Sequence, residues 1–344
     1  MSTIKFAGPL GMRLKSFLTL NRFALATYLN HKRGRKLHPT WDFNMELGVR
    51  FWRHQFTSAF AANTIAEGRL ILDSVQTETP DVYDVDIIAQ GTPQGIWYRP
   101  RARKSEATIL YLHGGGYTFH GAMSKRFAAM LAHHIGAPVF APEYRLTPEH
   151  PHPAQAEDAL SAWHHVTQDT APEKIALIGD SAGGHMVLML LLDLQKRRLP
   201  QPAICVALCP WTDIGDRGAS MTANDRTDLV QGWMALQFGK WLDPKGTFGR
   251  NALSPIYHDY SKLAPLYLQT GGCEVLRDMI LEFAAQQAAN GTDVICDLWP
   301  DMPHDFQVMD STQSDAMEAI ARISACVHSK VDGTGGFGNG PRSV

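Results

Sequence analysis

The sequence predicts an α/β fold built on an eight-stranded, mostly parallel sheet flanked by helices. From about residue 80 onward, short β-rich runs alternate with apolar-periodic helical stretches, which is typical of a sheet covered by helices. Several of these runs are continuously apolar, as expected for strands that are buried on both faces. The first two runs have no helix between them and therefore predict an antiparallel hairpin.

The pattern places each element in turn along the chain. Strands are expected near residues 82–89, 95–100, 107–112, 137–142, 174–179, 203–208, 265–270 and 293–299. Helices are expected near residues 121–135, 154–168, 182–198, 275–290 and 312–329. Two stretches interrupt the alternation: the helical, aromatic residues 1–75 and the insertion at about 211–255. Both are too long for plain connections, and such excursions commonly form lids beyond the carboxyl ends of the strands.

Composition narrows the class of protein. The 344 residues carry a formal net charge of -2, with 44% hydrophobic and 19% charged residues. This composition is typical of a globular protein and gives no general attraction to nucleic acid. The five cysteines form an odd set without a CxxC pair, which argues against a disulfide framework or a zinc ribbon and favours a reducing compartment. We predict a cytoplasmic protein without a metal site.

The N-terminus has features of a targeting segment. Residues 12–36 have basic flanks and an apolar middle, but Asn21 and Arg22 interrupt that middle, which disfavours a secretory signal. Nowhere do about 18 apolar residues follow one another, so no transmembrane span is expected. Two alternatives stay open for this segment: an amphipathic helix that packs on the body, or one that lies on a membrane surface.

A tight turn after the strand near 174–179 carries the strongest signal of chemistry. Gly179-Asp180-Ser181-Ala182-Gly183 matches G-x-S-x-G between an apolar strand and an apolar-periodic helix. In this setting the pattern predicts a nucleophile elbow, which projects the serine hydroxyl above the sheet. The N-terminus of the following helix offers unpaired N–H groups and the positive end of the helix dipole.

Three consecutive glycines, Gly114-Gly115-Gly116, follow the strand near 107–112. Glycine is costly to order and contributes no packing, so such a run indicates close approach of the backbone to a ligand. Acyl transfer builds a negative oxygen that backbone N–H groups stabilise, and the loop after the third strand supplies such groups in folds with this elbow. We expect the N–H of Ala182 to complete the set.

A nucleophilic serine needs a base, and four histidines follow Ser181. His185 lies one turn along the elbow helix, His258 precedes a strand, and His328 lies in the terminal helix. Only His304 lies in a loop directly after a strand, at the edge where the elbow also lies, so His304 is the predicted base.

The orienting acid is expected between the serine and the histidine. After the strand near 265–270, two glycines lead to Glu274 and, one turn later, to Asp278. The glycines allow the chain to turn over the carboxyl edge of the sheet, so Glu274 is favoured. Asp278 is the alternative, although its place in the first turn of a helix suits an acid that stabilises the helix dipole.

The chain resembles the hormone-sensitive-lipase-like family of α/β-hydrolases, the bacterial type of carboxylesterase. The resemblance runs from about residue 80 to 325 and rests on HGGG at 113–116, EYRLTPEHPHPAQAEDA at 143–159, GDSAGG at 179–184 and MPHDF at 302–306. It implies Ser181 as nucleophile, His304 as base, and Gly115, Gly116 and Ala182 as oxyanion donors.

The resemblance also implies structural roles and shows two departures. His113 and the motif at 143–159 are expected to brace the glycine loop through buried polar pairs, for example at Arg145 and Glu149. The family's acid frame, D-P-L, reads Glu274-Val275-Leu276 here, and an aspartate follows His304 where glycine is commoner. The first departure puts the identity of the acid in doubt and the second alters the edge of the pocket.

The resemblance divides the chain into an N-terminal helical cap segment at 1–75 and an α/β-hydrolase catalytic domain at 76–330 that includes the cap insertion. The Gly-rich residues 331–344 are expected to form a disordered tail. The aromatic residues of the N-terminal segment are expected to lie over the pocket: Trp41, Phe43, Phe51, Trp52 and Phe56.

The expected activity is that of a serine carboxylesterase on short-to-medium acyl esters, without a cofactor. A lactone hydrolase or small-molecule deacetylase using the same residues is one alternative, and a non-catalytic ligand receptor on the same fold is another. The expected partner is a small-molecule ester. Peripheral membrane contact and a homodimer are left open by the sequence.

Overall fold

The structure is a computed structural model that describes residues 4–77 and 82–340. Within these residues the strands are β1 (Ile4–Phe6), β2 (Val75–Thr77), β3 (Val85–Gln90), β4 (Gly95–Pro100), β5 (Thr108–Leu112), β6 (Val139–Pro142), β7 (Ile175–Asp180), β8 (Ile204–Leu208), β9 (Leu266–Gly271) and β10 (Val294–Trp299). The α-helices are α1 (Leu10–Lys32), α2 (Phe43–Phe60), α3 (Ile65–Leu72), α4 (Ala122–Ile135), α5 (Ala154–Asp169), α6 (Ala182–Lys196), α7 (Ser220–Ala223), α8 (Gly232–Leu242), α9 (Arg277–Ala289) and α10 (Ser314–Val327).

Eight strands form the main sheet in the order β10-β9-β8-β7-β5-β6-β4-β3. β3 pairs antiparallel with β4, and β4 pairs antiparallel with β6, while the remaining pairs are parallel. The predicted eight-stranded, mostly parallel sheet with an antiparallel hairpin at its start is therefore confirmed. The hairpin begins at Val85, three residues later than the sequence pattern indicates.

Helices cover both faces of the sheet because its central strands are apolar on both sides. In β5, Ile109 and Tyr111 belong to a cluster with the side chains of α4 and α10. Leu110 and Leu112 point the other way, into a cluster with α5, α6 and α9. This alternation within one fully buried strand fixes its register, since a shift by one residue would exchange the two faces.

A small second sheet was not predicted. β1 pairs antiparallel with β2, so the start of the chain is tied to the segment after α3. Each strand has three residues, which is too short for a periodic pattern to be recognised.

The N-terminal segment forms three helices, two of which begin at a side-chain cap. The side chain of Asp42 caps α2 by accepting from the N–H of Met45 at 2.8 Å, and Thr64 caps α3 by accepting from Glu67 at 3.1 Å. Such caps satisfy N–H groups that have no partner within the helix. None of the helices in the described ranges is long and apolar enough to cross a bilayer.

The C-terminal segment differs from the disorder expected for it over residues 331–340. Asp332 accepts from the Ser105 hydroxyl at 2.7 Å and from the N–H of Glu106 at 2.9 Å. The ring of Phe337 lies 4.9 Å from that of Tyr267. These contacts tie the segment to the sheet, and residues 341–344 lie outside the described residues.

Candidate active site

Ser181 lies at the sharp turn between β7 and α6. Its backbone is in a strained conformation, with φ 52° and ψ -118°, which an L-residue rarely adopts. The flanking glycines allow the turn: a Cβ on Gly179 would lie 2.3 Å from the Gly183 carbonyl oxygen, and one on Gly183 would lie 1.9 Å from that of Leu112. Strand and helix therefore approach more closely than any side chain would permit.

The structure brings Ser181, His304 and Glu274 into one hydrogen-bonded chain. The Ser181 hydroxyl lies 2.8 Å from Nε2 of His304, and Nδ1 of His304 lies 2.7 Å from Oε2 of Glu274. Because a carboxylate only accepts, the neutral form of the ring carries its proton on Nδ1, which leaves Nε2 as the acceptor that faces the Ser181 hydroxyl. The other histidines after Ser181 have other partners: the Leu253 carbonyl for His185, the Ala252 carbonyl for His258 and Asp332 for His328.

Glu274, and not Asp278, reaches His304. Glu274 is fully buried, and its other oxygen accepts from the Thr270 hydroxyl at 2.5 Å and the Gly271 N–H at 2.7 Å. Asp278 lies in the first turn of α9 and accepts from the Ser220 N–H at 2.8 Å. Gly271 and Gly272 let the loops before Glu274 and before His304 touch, since a Cβ on either would lie within 2.3 Å of a carbonyl oxygen of the histidine loop.

The glycine loop after β5 lies beside the serine. Gly115, Gly116 and Ala182 line the same pocket as Ser181. Gly115 has φ 99°, and a Cβ there would lie 2.1 Å from the Phe119 carbonyl oxygen. A side chain at Gly115 is therefore excluded by both conformation and space. The start of α6 adds its positive dipole end to the same place.

Asp180 connects the elbow to the glycine loop. One of its oxygens accepts from the Tyr111 hydroxyl at 2.5 Å and from the Gly114 N–H at 3.0 Å. Burial is the largest influence on this carboxyl and raises its pKa, whereas the two donors lower it. Asp180, which precedes Ser181, thus holds Gly114, which precedes the predicted oxyanion donors Gly115 and Gly116.

The bracing of the glycine loop differs in part from the expectation. The Tyr144 hydroxyl donates to the His113 carbonyl at 2.7 Å, within the buried core. Arg145 and Glu149, however, form surface pairs with side-chain exposures of 43% and 48%. The expectation of buried pairs at these two residues is wrong, because their partners lie on α3 and α5 at the protein surface.

Arg69 of α3 is a brace that the sequence did not indicate. Its Nε donates to the Thr118 carbonyl at 2.9 Å, and its guanidinium pairs with both oxygens of Glu149 at 2.8 Å. The N-terminal segment therefore holds the far end of the glycine loop. No spacing pattern in the sequence relates residues 49 to 80 positions apart, so these contacts are visible only in the folded structure.

Asp228, in the insertion between β8 and β9, is a second residue that the sequence did not indicate. Its Oδ1 accepts from the His304 N–H at 3.1 Å and its Oδ2 from the Val275 N–H at 2.7 Å. Asp228 is fully buried, and burial raises its pKa to about 6, although the nearby His304 and the two backbone donors act in the opposite direction. One carboxylate thus joins the loops that carry Glu274 and His304.

Asp305 places a further carboxylate beside the histidine. Its Oδ2 lies 3.3 Å from Nε2 of His304, and its backbone is left-handed, with φ 52° and ψ 33°. Burial alone would lower the pKa of His304, but Asp305, Cys209 and Glu274 together outweigh burial and hold that pKa well above its usual value. Burial raises the pKa of Asp305, although the positive charge of His304 acts in the opposite direction.

The pocket above Ser181 is small and mainly apolar. Its volume is about 40 Å³, room for only a few water-sized groups. The apolar walls come from α2, the insertion and the start of α9: Phe56, Trp211, Leu229, Val230, Ala235, Phe238 and Leu276. Of the five N-terminal aromatics expected over the pocket, Phe56 alone is among the residues that line it, and Trp41 packs instead in a cluster with Trp299 and Met302.

The cysteines and metal-binding groups give no separate site. All five cysteines are free and buried, as expected for small apolar residues. Among the described residues, one group has the proximity of metal ligands: Cys209, His304 and Asp305. Both ring nitrogens of His304 already have partners in Glu274 and Ser181, and burial raises the pKa of the Cys209 thiol, which disfavours the thiolate that a metal requires.

The chain is similar to known hydrolases. The α/β hydrolase fold family matches residues 109–308 of the chain. An acetyl-hydrolase of Streptomyces hygroscopicus is 37% identical over 224 residues, which cover 64% of this chain and 74% of that protein. An ethyl acetate hydrolase of Pseudomonas putida is 29% identical over 233 residues, covering 63% and 71% of the two chains.

The fold is also similar to solved structures. An esterase from the bacterial hormone-sensitive lipase family superposes with a TM-score of 0.72 at 30% identity, covering 82% of this chain and 98% of that one. The likeness therefore extends beyond the matched family region.

Proposed function

The chain belongs to the hormone-sensitive-lipase-like family of α/β-hydrolases and is a carboxylic ester hydrolase, and from this premise we propose that it is a serine esterase for esters of short acyl groups. The observation that carries the proposal is the chain of hydrogen bonds from Ser181 through His304 to Glu274 at the wall of a pocket of about 40 Å³. A pocket of this size favours small acyl groups such as acetyl.

In the proposed reaction, Ser181 Oγ attacks the ester carbonyl while Nε2 of His304 takes the hydroxyl proton. Glu274 keeps the proton on Nδ1 and stabilises the imidazolium that forms. The backbone N–H groups of Gly115, Gly116 and Ala182 stabilise the negative oxygen of the tetrahedral intermediate. His304 then returns its proton to the leaving alcohol, and water repeats the sequence on the acyl-enzyme to release the acid and free serine.

We further propose that α2 and the insertion act as a cap that sets the acyl-chain limit. Phe56 of α2 and Phe238 of α8 both line the pocket, and a Cβ on Gly116 would lie 2.4 Å from the Phe238 ring. The cap therefore meets the proposed oxyanion loop directly. Acyl groups longer than the pocket would require this contact to open.

The test is a series of p-nitrophenyl esters of increasing acyl length, together with acetylated small molecules and lactones, assayed with wild type and Ser181→Ala. We expect kcat/KM to fall with acyl length and Ser181→Ala to lose nearly all activity, with about 10³-fold catalysis over water left from oxyanion binding. A phosphonate ester should label Ser181 stoichiometrically. Labelling at another residue would overturn the proposal, and a preference for lactones would reassign the substrate but not the site.

A further inference from the structure

The outer face of α1 is apolar, which is unusual for a helix on a protein surface. Seven large hydrophobic residues of α1 are exposed, with exposed fractions from 39% to 77%: Leu10, Leu14, Phe17, Leu18, Leu25, Tyr28 and Leu29. At about 100° per residue these side chains project within an arc of roughly 120°. They form a band, called here the outer stripe, along almost the whole helix, which one exposed polar residue, Asn21, interrupts. Single exposed apolar residues need no explanation, but such a band does.

The opposite face of α1, which packs on the body, contains polar contacts. Ser16 is buried and its hydroxyl lies 2.6 Å from that of Ser74. His31 near the end of the helix lies 2.9 Å from a carboxylate oxygen of Glu46 on α2, and Thr27 is fully buried. These contacts fix which side of α1 faces the protein, so the outer stripe is held outward.

The charge of this region is strongly positive. Residues 1–41 contain eight lysines and arginines and no aspartate or glutamate, although the whole chain has a formal net charge of -2. Arg13, Lys15 and Arg22 are exposed, and the helical spacing places them along the two edges of the outer stripe. Lys32, Arg33, Arg35 and Lys36 form an exposed basic group at the end of the helix.

We propose that α1 docks this protein on the surface of a bilayer that contains anionic lipid. An apolar stripe bordered by cations fits the boundary between acyl chains and acidic headgroups, where the apolar side chains are buried and the cations reach the headgroups. A second copy of the chain fits the stripe poorly, because two facing copies of α1 would bring two sets of unbalanced positive charge together. Charge complementarity therefore selects a negative surface as the partner.

Docking through α1 would place the active site close to the bilayer. α1 packs on α2, as the ring contact of Phe23 with His54 at 5.4 Å shows, and Phe56 of α2 lines the active-site pocket. One helix thus separates the bilayer-facing stripe from the pocket. This inference does not depend on the proposed acyl specificity, because the stripe and the pocket lie on different elements.

The experiment is flotation of the full-length protein with vesicles of phosphatidylcholine alone or of an equimolar mixture with phosphatidylglycerol. Three proteins are compared: wild type, the stripe variant Leu14→Gln/Leu18→Gln/Leu25→Gln, and a control variant. The control, Leu70→Gln/Ile87→Gln/Ile88→Gln, replaces residues of similar exposure, 46% to 49%, outside α1. Thermal unfolding and hydrolysis of a soluble ester establish that each variant is folded and active.

We expect wild type and control to float with the anionic vesicles, with weaker binding to phosphatidylcholine and at high salt. The stripe variant should lose binding by roughly tenfold or more, since each leucine withdrawn from the interface removes apolar burial. Lack of wild-type binding to anionic vesicles would overturn the proposal, as would equal losses in stripe and control variants. A dimer in solution that the stripe variant abolishes, without vesicle binding, would reassign the stripe to self-association.

Discussion

Replacing Asp305 by asparagine should extend esterase activity to lower pH. In the proposed reaction His304 must be neutral to accept the serine proton, so we expect activity to be lost as the pH falls through the His304 pKa. The carboxylate of Asp305, 3.3 Å from Nε2, favours the protonated ring and raises that pKa. Asparagine keeps the shape and tolerates the left-handed backbone at this position, where φ is 52°. The substitution therefore removes the charge and little else.

The size of the shift follows from the distance. Two unit charges 3.3 Å apart interact by about 5 kcal/mol at an effective dielectric constant of ~20, and about 1.4 kcal/mol corresponds to one pH unit. Solvent reaches 20% of the Asp305 side chain and screens the interaction, and because burial raises the pKa of Asp305, this carboxyl carries less than a full charge as the pH falls. We therefore expect the midpoint of the acid limb to fall by about one to three pH units, the range that a close charge produces.

The assay is kcat/KM for p-nitrophenyl acetate against pH, followed at the isosbestic wavelength so that ionisation of the product does not distort the profile. The rate on the alkaline plateau should fall at the same time, because a less basic imidazole takes the serine proton less readily. Asp301→Asn, which removes a negative charge from the same loop, is the control and should leave the midpoint in place. An acid limb that stays where it is in Asp305→Asn, or moves to higher pH, would refute the reasoning.

Two further substitutions test the groups around His304. Glu274→Gln should lower kcat by about 10⁴ with little change in KM, because the amide no longer fixes the tautomer of His304. Asp278→Asn should mainly lower the melting temperature. The reverse pattern would make Asp278 the acid. Asp228→Asn replaces one of two acceptor oxygens by an NH₂ donor that faces a backbone N–H. We therefore expect about 1–3 kcal/mol of destabilisation, measured by denaturant unfolding. We also expect a fall in kcat, measured by steady-state kinetics. The surface carboxylate of Asp225, which pairs with Arg53, supplies the control Asp225→Asn, and equal effects of both on kcat would contradict a specific role for Asp228.

The sheet and the elbow could be predicted because their signals are local. β7, Ser181 and α6 lie within one run of about 20 residues. The strand, the turn and the helix each have a sequence pattern that can be recognised locally. The contact of Glu274, rather than Asp278, with His304 also follows from a local signal. Gly271 and Gly272 have space for hydrogen alone, since Met302 and Pro300 of the histidine loop lie against them, and that contact requires the next carboxylate to be near His304.

The contacts that support the site could not be predicted, because they join residues without a sequence relation. Arg69 reaches the glycine loop from α3, and Asp228 reaches two loops that lie 47 and 76 residues away along the chain. Both residues read in the sequence as ordinary charged residues of surface elements. The sequence shows Asp305 as an unusual neighbour of His304, but its effect on the histidine pKa depends on a distance that the folded chain sets.

Asp228 also changes how the insertion between β8 and β9 should be understood. Leu229 and Val230, the next two residues, line the pocket, while Asp228 itself holds the backbone N–H groups of Val275 and His304. A movement that widens the pocket at residues 229 and 230 therefore pulls on the carboxylate that joins the loops of the proposed acid and base. Opening the pocket for a larger acyl group would thus disturb the alignment of the hydrogen-bonded chain, because residues 228–230 link the pocket wall to the loops that hold it. We therefore expect longer substrates to lose turnover as well as binding, because displacement of this wall would also disturb the geometry at His304.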